Sequence, residues 1–171
     1  MVNANLTNSQ TLPGSNTTNN ATNIVFIDTA VENFSSLLEG LKSNTEAVIL
    51  DPTIDGVNQI TNFLAQRSGT LDSVQILSHG GAGSLQLGST RLNTENLEQY
   101  QSALSQWFSL ATGKTPDLLI YGCDVASGAL GTQFINQLST ITGADVAASV
   151  DLTGSIAKGG NWILEKATGA I

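Results

Sequence analysis

Short apolar runs recur along the chain, and each stops at a polar or turn-forming residue. Ile24-Val25-Phe26-Ile27 ends at Asp28, Ala47-Val48-Ile49-Leu50 at Asp51-Pro52, and Val74-Gln75-Ile76-Leu77 at Ser78-His79. Leu118-Leu119-Ile120-Tyr121 ends at Gly122-Cys123, and Asp145-Val146-Ala147-Ala148-Ser149 is a fifth run. Runs of this length without alternation predict strands buried on both faces.

Between them the spacing changes to that of one helix face. Thr29 and Glu32 form a capping box ahead of a stripe of Val31, Phe34, Leu37, Leu38 and Leu41. Asp55 opens a helix carrying Val57, Ile60, Phe63 and Leu64. Asn93 is expected to cap a long helix with Leu97, Tyr100, Leu104, Trp107 and Phe108, broken by Thr115-Pro116. Ser127 or Gly128 begins another, with Leu130, Phe134, Leu138 and Ile141 inward and Gly143 as its stop. Gly88-Ser89, flanked by Ser84–Leu87 and Thr90–Leu92, predicts a small hairpin with a type II′ turn after the third strand. A last strand is expected at Trp162-Ile163-Leu164-Glu165.

Strands alternating with amphipathic helices predict an α/β fold, three layers α/β/α around a mainly parallel sheet. Residues 1–22, rich in Asn, Thr and Ser, are expected to be a disordered leader; residues 23–171 form a single domain.

Composition narrows the function classes. The 171 residues carry a net charge of −8 and no Lys/Arg cluster, which argues against nucleic acid and anionic membrane as partners. No apolar run approaches the roughly 18 residues of a membrane span, so no membrane insertion is expected. A single cysteine and a single histidine exclude a disulfide framework and a multi-cysteine metal site, so no cofactor or metal is expected. The N-terminus lacks the positive start and apolar core of a secretory signal peptide. The chain is expected to be cytoplasmic if complete, or part of a larger protein exported by another route.

The chemistry worth weighing is that of His79 and Cys123, each at the end of a core strand and each next to glycine. Carboxyl ends of parallel strands are where ligands and reactions collect. Thiol catalysis needs a nucleophile, a base and donors for a developing oxyanion. Cys123 would supply the first and His79 the second; the N–H groups of Gly80 and Cys123 would supply the third. The plainer reading stays open: a lone cysteine is commonly a small buried hydrophobe, and a lone histidine a hydrogen-bonded structural residue.

Val74-Gln75-Ile76-Leu77-Ser78-His79-Gly80 and Leu118-Leu119-Ile120-Tyr121-Gly122-Cys123 resemble the two motifs of caspase-like cysteine peptidases: a hydrophobic strand before His-Gly, and another before the nucleophilic cysteine. A closer resemblance, from Asn23 to Ile171, is to an uncharacterised bacterial domain family near the N-terminus of very large surface or secreted proteins. It is carried by Leu50-Asp51-Pro52, Tyr121-Gly122-Cys123-Asp124-Val125-Ala126, the segment from Thr142 to Ser149, and Gly159-Gly160-Asn161-Trp162.

These resemblances imply a caspase-like, flavodoxin-type topology with core strands in the order 2-1-3-4 and Asp145–Ser149 outside the fourth. They imply cleavage of a peptide or protein substrate, including autoprocessing of a longer chain at the cell surface. Asp28 stands where caspases carry a pocket-lining arginine, which implies a substrate-binding acid selecting Arg or Lys. Asp124 beside the thiol joins the same acidic rim; the plainer reading of both acids, strand-end turn chemistry of the kind aspartate favours, stays open. Against this stands a non-catalytic anchoring module of a giant adhesin, with both residues packed. The sequence lacks Gly-x-Ser-x-Gly, Gly-x-Gly-x-x-Gly and Walker patterns, which removes the lipase and nucleotide-binding alternatives.

Overall fold

The computed structural model describes residues 21–171 apart from Asn33, Gly40 and Thr112. All but the last two residues of the expected leader lie outside the described residues, as does the Leu37 side chain. Ala21 is buried, and its carbonyl accepts from Arg67 Nη2 at 2.9 Å, so the folded unit takes in the end of that stretch.

The elements in order are β1 (Asn23–Asp28), α1 (Phe34–Leu38), β2 (Thr45–Leu50), α2 (Gly56–Ala65) and β3 (Ser73–Leu77). Then come β4 (Gly80–Gly81), β5 (Ser84–Leu87), β6 (Thr90–Asn93), a 3₁₀ turn at Leu97–Tyr100 and α3 (Gln101–Leu104). The chain closes with β7 (Asp117–Tyr121), α4 (Gly128–Thr142), β8 (Asp145–Ala148), a 3₁₀ turn at Ile156–Lys158 and β9 (Lys166–Ala167).

The main sheet runs β2-β1-β3-β7-β8-β9, parallel except for β9. This is the α/β fold and the strand order expected. Right-handed crossovers explain the layers. Only the β1–β2 connection moves toward one edge, while the next three move toward the other. Accordingly Phe34, Leu38 and Leu41 pack with Val25, Ile27 and Leu77 on one face. On the other face the side chains of α2, α3 and α4 pack over Ile24, Phe26, Val74, Ile76, Leu118, Ile120 and Val146.

The hairpin forms as expected: β5 and β6 pair across Gly88, whose φ of 56° suits the first central position of a type II′ turn. Asp55 caps α2 by accepting from Asn58 N–H at 2.9 Å. Gly143 stops α4 in the left-handed conformation.

Four expectations are corrected. The helix after β1 starts at Phe34, not Thr29, because the Asp28 carboxylate takes the Ala30 N–H and turns the chain; Glu32 reaches Lys158 instead of capping. The long helix after Asn93 is a broken series of turns. There the Asn93 carboxamide accepts from Glu95 and Asn96, and such side-chain bonds compete with helical ones. Trp107 and Phe108 are nonetheless buried, with Trp107 Nε1 donating to Thr61 Oγ1. Leu130 is 56% exposed rather than inward. Trp162–Glu165 is irregular: Asn161 Oδ1 accepts from Ile163 N–H and Glu165 accepts from Val150 N–H, while the last strand is β9.

Candidate functional site

The register of the parallel sheet brings His79 and Cys123 side by side. Leu77 of β3 pairs with Tyr121 of β7, and His79 and Cys123 each lie two residues beyond that pair. Neighbouring strands are about 4.8 Å apart. The Ser78 N–H to Tyr121 carbonyl bond, 3.1 Å, carries the pairing one step further. Both residues line one cavity of about 330 Å³, walled also by Val31, Glu32, Tyr121, Thr153, Lys158 and Trp162.

His79 is exposed, and its Nε2 lies 3.0 Å from the Ala30 carbonyl oxygen. A carbonyl can only accept, so this bond puts the proton on Nε2 and leaves Nδ1 as the basic nitrogen of the neutral ring. Ala30 follows β1, the strand next to β3. The histidine is therefore oriented by backbone, a partner that no sequence motif announces. Cys123 is half-buried and its Sγ lies 3.8 Å from the Thr153 carbonyl, in the loop after β8. Thr153 Oγ1 is buried without a partner among the described residues.

Gly80 is where two backbones meet. A Cβ there would lie 2.4 Å from Val125 Cγ2 and 2.9 Å from the Cys123 carbonyl oxygen. Opposite Leu85, Gly80 is a non-hydrogen-bonded position of the β4–β5 ladder, because Gln86 N–H bonds to the His79 carbonyl. The N–H of Gly80 thus points away from the hairpin. Neither it nor the Cys123 N–H has a protein partner among the described residues.

The two acids expected on the rim sit elsewhere. Asp28 is 2% exposed and does not line the cavity; its oxygens accept from Ala30 N–H at 2.9 Å and Gly88 N–H at 2.8 Å. Its bond to Ala30 holds the turn whose carbonyl orients His79. Asp124 is also off the cavity lining. It takes the left-handed conformation with φ 60°, donates its N–H to the Asp151 carbonyl and accepts from Ser127 N–H, shaping the turn after the thiol. Aspartate tolerates that conformation better than most residues.

A family profile described as "Domain of unknown function (DUF4347)" matches residues 24–171. The chain belongs to the DUF4347 family. No curated protein matches it.

The cavity of this DUF4347 domain contains residues that the motifs did not single out as functional. Glu32 is its one carboxylate, and its Oε2 meets Lys158 Nζ at 2.8 Å. The hydrogen bond and charge of Lys158 hold the Glu32 carboxyl below the usual range, against a small desolvation cost and with His79 adding to the lowering. Tyr121 and Trp162 form an aromatic pair, ring centroids 6.0 Å apart, and burial pushes the Tyr121 phenol up. In the sequence Tyr121 and Trp162 stood inside the segments that carry the resemblance, while Glu32 was read as a helix cap and Lys158 carried no signal.

A larger, open groove of about 950 Å³ runs between α4 and residues 94–101; Glu95, Glu98 and three threonines line it, with neither a cysteine nor a histidine among its lining residues. Among the described residues no cluster of three or more metal-ligating side chains is gathered, and no helix is long and apolar enough to cross a membrane.

Proposed function

We propose that this domain is a caspase-like cysteine peptidase in which Cys123 is the nucleophile and His79 the general base. The observation that carries the reading is the convergence of four strand ends on one cavity: Val31, His79, Cys123 and Thr153, which follow β1, β3, β7 and β8, all line it.

His79 Nδ1 takes the thiol proton, and the sulfur attacks the peptide carbonyl carbon. The oxyanion is met by the N–H groups of Gly80 and Cys123, which have no protein partner among the described residues. The C–N bond breaks as the imidazolium returns its proton to the leaving amine. Water then hydrolyses the thioester and restores the thiol. The substrate is a peptide or protein segment, including a segment of a longer surface or secreted chain that carries this domain.

The test compares wild type, Cys123→Ala and His79→Ala against a peptide panel and the longer natural chain, with and without calcium, reading fragments by mass spectrometry. Cys123→Ala should abolish cleavage, and His79→Ala should lower it by about 10²–10⁴-fold. Cleavage that persists in Cys123→Ala, or never appears in wild type, defeats the proposal. The second reading, a non-catalytic anchoring module, is favoured by one contact, the Cys123 thiol lying against the Thr153 carbonyl as a packed donor. It predicts no cleavage and a Cys123→Ala variant that loses stability.

A further inference from the structure

The cavity holds one acid, one base of fixed charge and two aromatic rings beyond its histidine and cysteine. Glu32 and Lys158 lie 126 positions apart in the chain and pair across the cavity wall with side chains 75% and 73% exposed. An ion pair so exposed contributes little to folding and is readily exchanged for another partner. Tyr121 and Trp162 line the same cavity, the latter 46% exposed. An anionic group next to open aromatic faces is the chemistry that receives a long cationic side chain. The carboxylate takes the charge, and the rings take the methylene stem and the cation's face.

We propose that Glu32 is the acceptor for an arginine or lysine side chain of the bound peptide, and that Lys158 holds that place when no peptide is present. The proposal rests on the peptidase reading for the word peptide, and it names the substrate class of that site. Arginine should displace Lys158 more effectively than lysine does, because its planar fork meets a carboxylate through two hydrogen bonds. Asp28, the acid that the sequence offered for this task, is buried under Ala30 and Gly88 and cannot perform it.

The test reads binding alone. N-acetyl-arginine amide is titrated into the Cys123→Ala protein while the two tryptophan indole N–H signals are followed by NMR. Trp162 lines the cavity, whereas Trp107 is buried and bonded to Thr61, so the second signal is an internal control. The expected result is a saturable shift of Trp162 but not of Trp107. Affinity should fall about tenfold in Glu32→Gln, the loss of one charge-assisted contact. It should rise about two- to fivefold in Lys158→Ala, where the resident competitor is gone. N-acetyl-leucine amide should bind more weakly than the arginine probe. An unmoved Trp162, equal binding of the leucine amide, or unchanged affinity in Glu32→Gln each overturns the proposal. Because cleavage is not the readout, this result and the peptidase result stand or fall separately.

Discussion

Replacing Gly80 by alanine tests whether the two strand ends are held together as the structure shows. The new methyl would lie 2.4 Å from Val125 Cγ2, 2.9 Å from the Cys123 carbonyl oxygen and 3.3 Å from the Gly122 carbonyl carbon. The first contact is about 1 Å inside optimal separation. Val125 is fully buried in the main core and cannot swing aside, and the second contact is backbone. Gly80 is not among the positive-φ residues, so alanine meets no backbone penalty there and stiffens the unfolded chain, a gain of ~0.4–1 kcal/mol. Overpacking costs ~1–3 kcal/mol. The steric effect wins, and the net loss should be about 1–2 kcal/mol by urea denaturation. Relief of the clash moves the Gly122–Val125 turn and the thiol with it. The rate of iodoacetamide alkylation of Cys123, the only thiol, should therefore change severalfold. If the peptidase proposal holds, turnover should fall by ~100-fold, the usual result of a misplacement of about 1 Å. A variant within about 0.5 kcal/mol of wild type and with an unchanged alkylation rate would refute the claim that Gly80 sets the approach of the two strand ends.

Asp28→Ala removes the acceptor of the buried Gly88 N–H and of Ala30 N–H, and should cost about 2–4 kcal/mol in urea denaturation; a loss under about 0.5 kcal/mol would show that water replaces the carboxylate. Asp55 resists protonation. Its burial would raise the pKa, but hydrogen bonds from Tyr100, Asn58, Thr90 and Val57 outweigh that and lower it. A depressed folded pKa means stability that is present above the unfolded value of about 3.9 and lost as pH falls through the folded one. Asp55→Asn should therefore flatten the acid limb of thermal stability below about pH 4, and an unaltered limb would contradict the assignment. Phe134→Ala should cost about 3–5 kcal/mol, whereas Leu130→Lys, four residues earlier and exposed, should stay within about 0.5 kcal/mol; equal losses would mean that α4 buries a different face.

How far local pattern reaches is clear from particular elements. The apolar runs of β1 and β7 were legible because a parallel strand with both faces covered has little need of polar positions, and β3 keeps the same look around a single half-buried Gln75. Gly88 and Gly143 were legible because their backbone angles exclude most other residues. His79 and Cys123 stood out as the single residues of their kind, at strand ends whose registration followed from a parallel sheet.

Local pattern misjudged the helices flanking the sheet, whose lengths were decided by competition from side chains. Asp28, Asn93 and Asn96 each capture a backbone N–H that a regular helix would have used or left to solvent. The same limit applies to the site. The carbonyl that orients His79 belongs to an alanine, and a backbone acceptor has no signature in the sequence. Glu32 was read as a helix cap and Lys158 had no assigned role, since nothing local relates residues 126 positions apart. Asp28 was open to two readings, a pocket acid or a strand-end turn former, and its carboxylate binds the turn at Ala30 and the hairpin at Gly88. Its place after the first strand is a matter of sequence, whereas its burial under the hairpin turn arises only when β5 and β6 fold back over β1. The residue types and strand ends were thus written locally. Which groups face a common cavity, and which are consumed in holding it together, was decided by long-range packing.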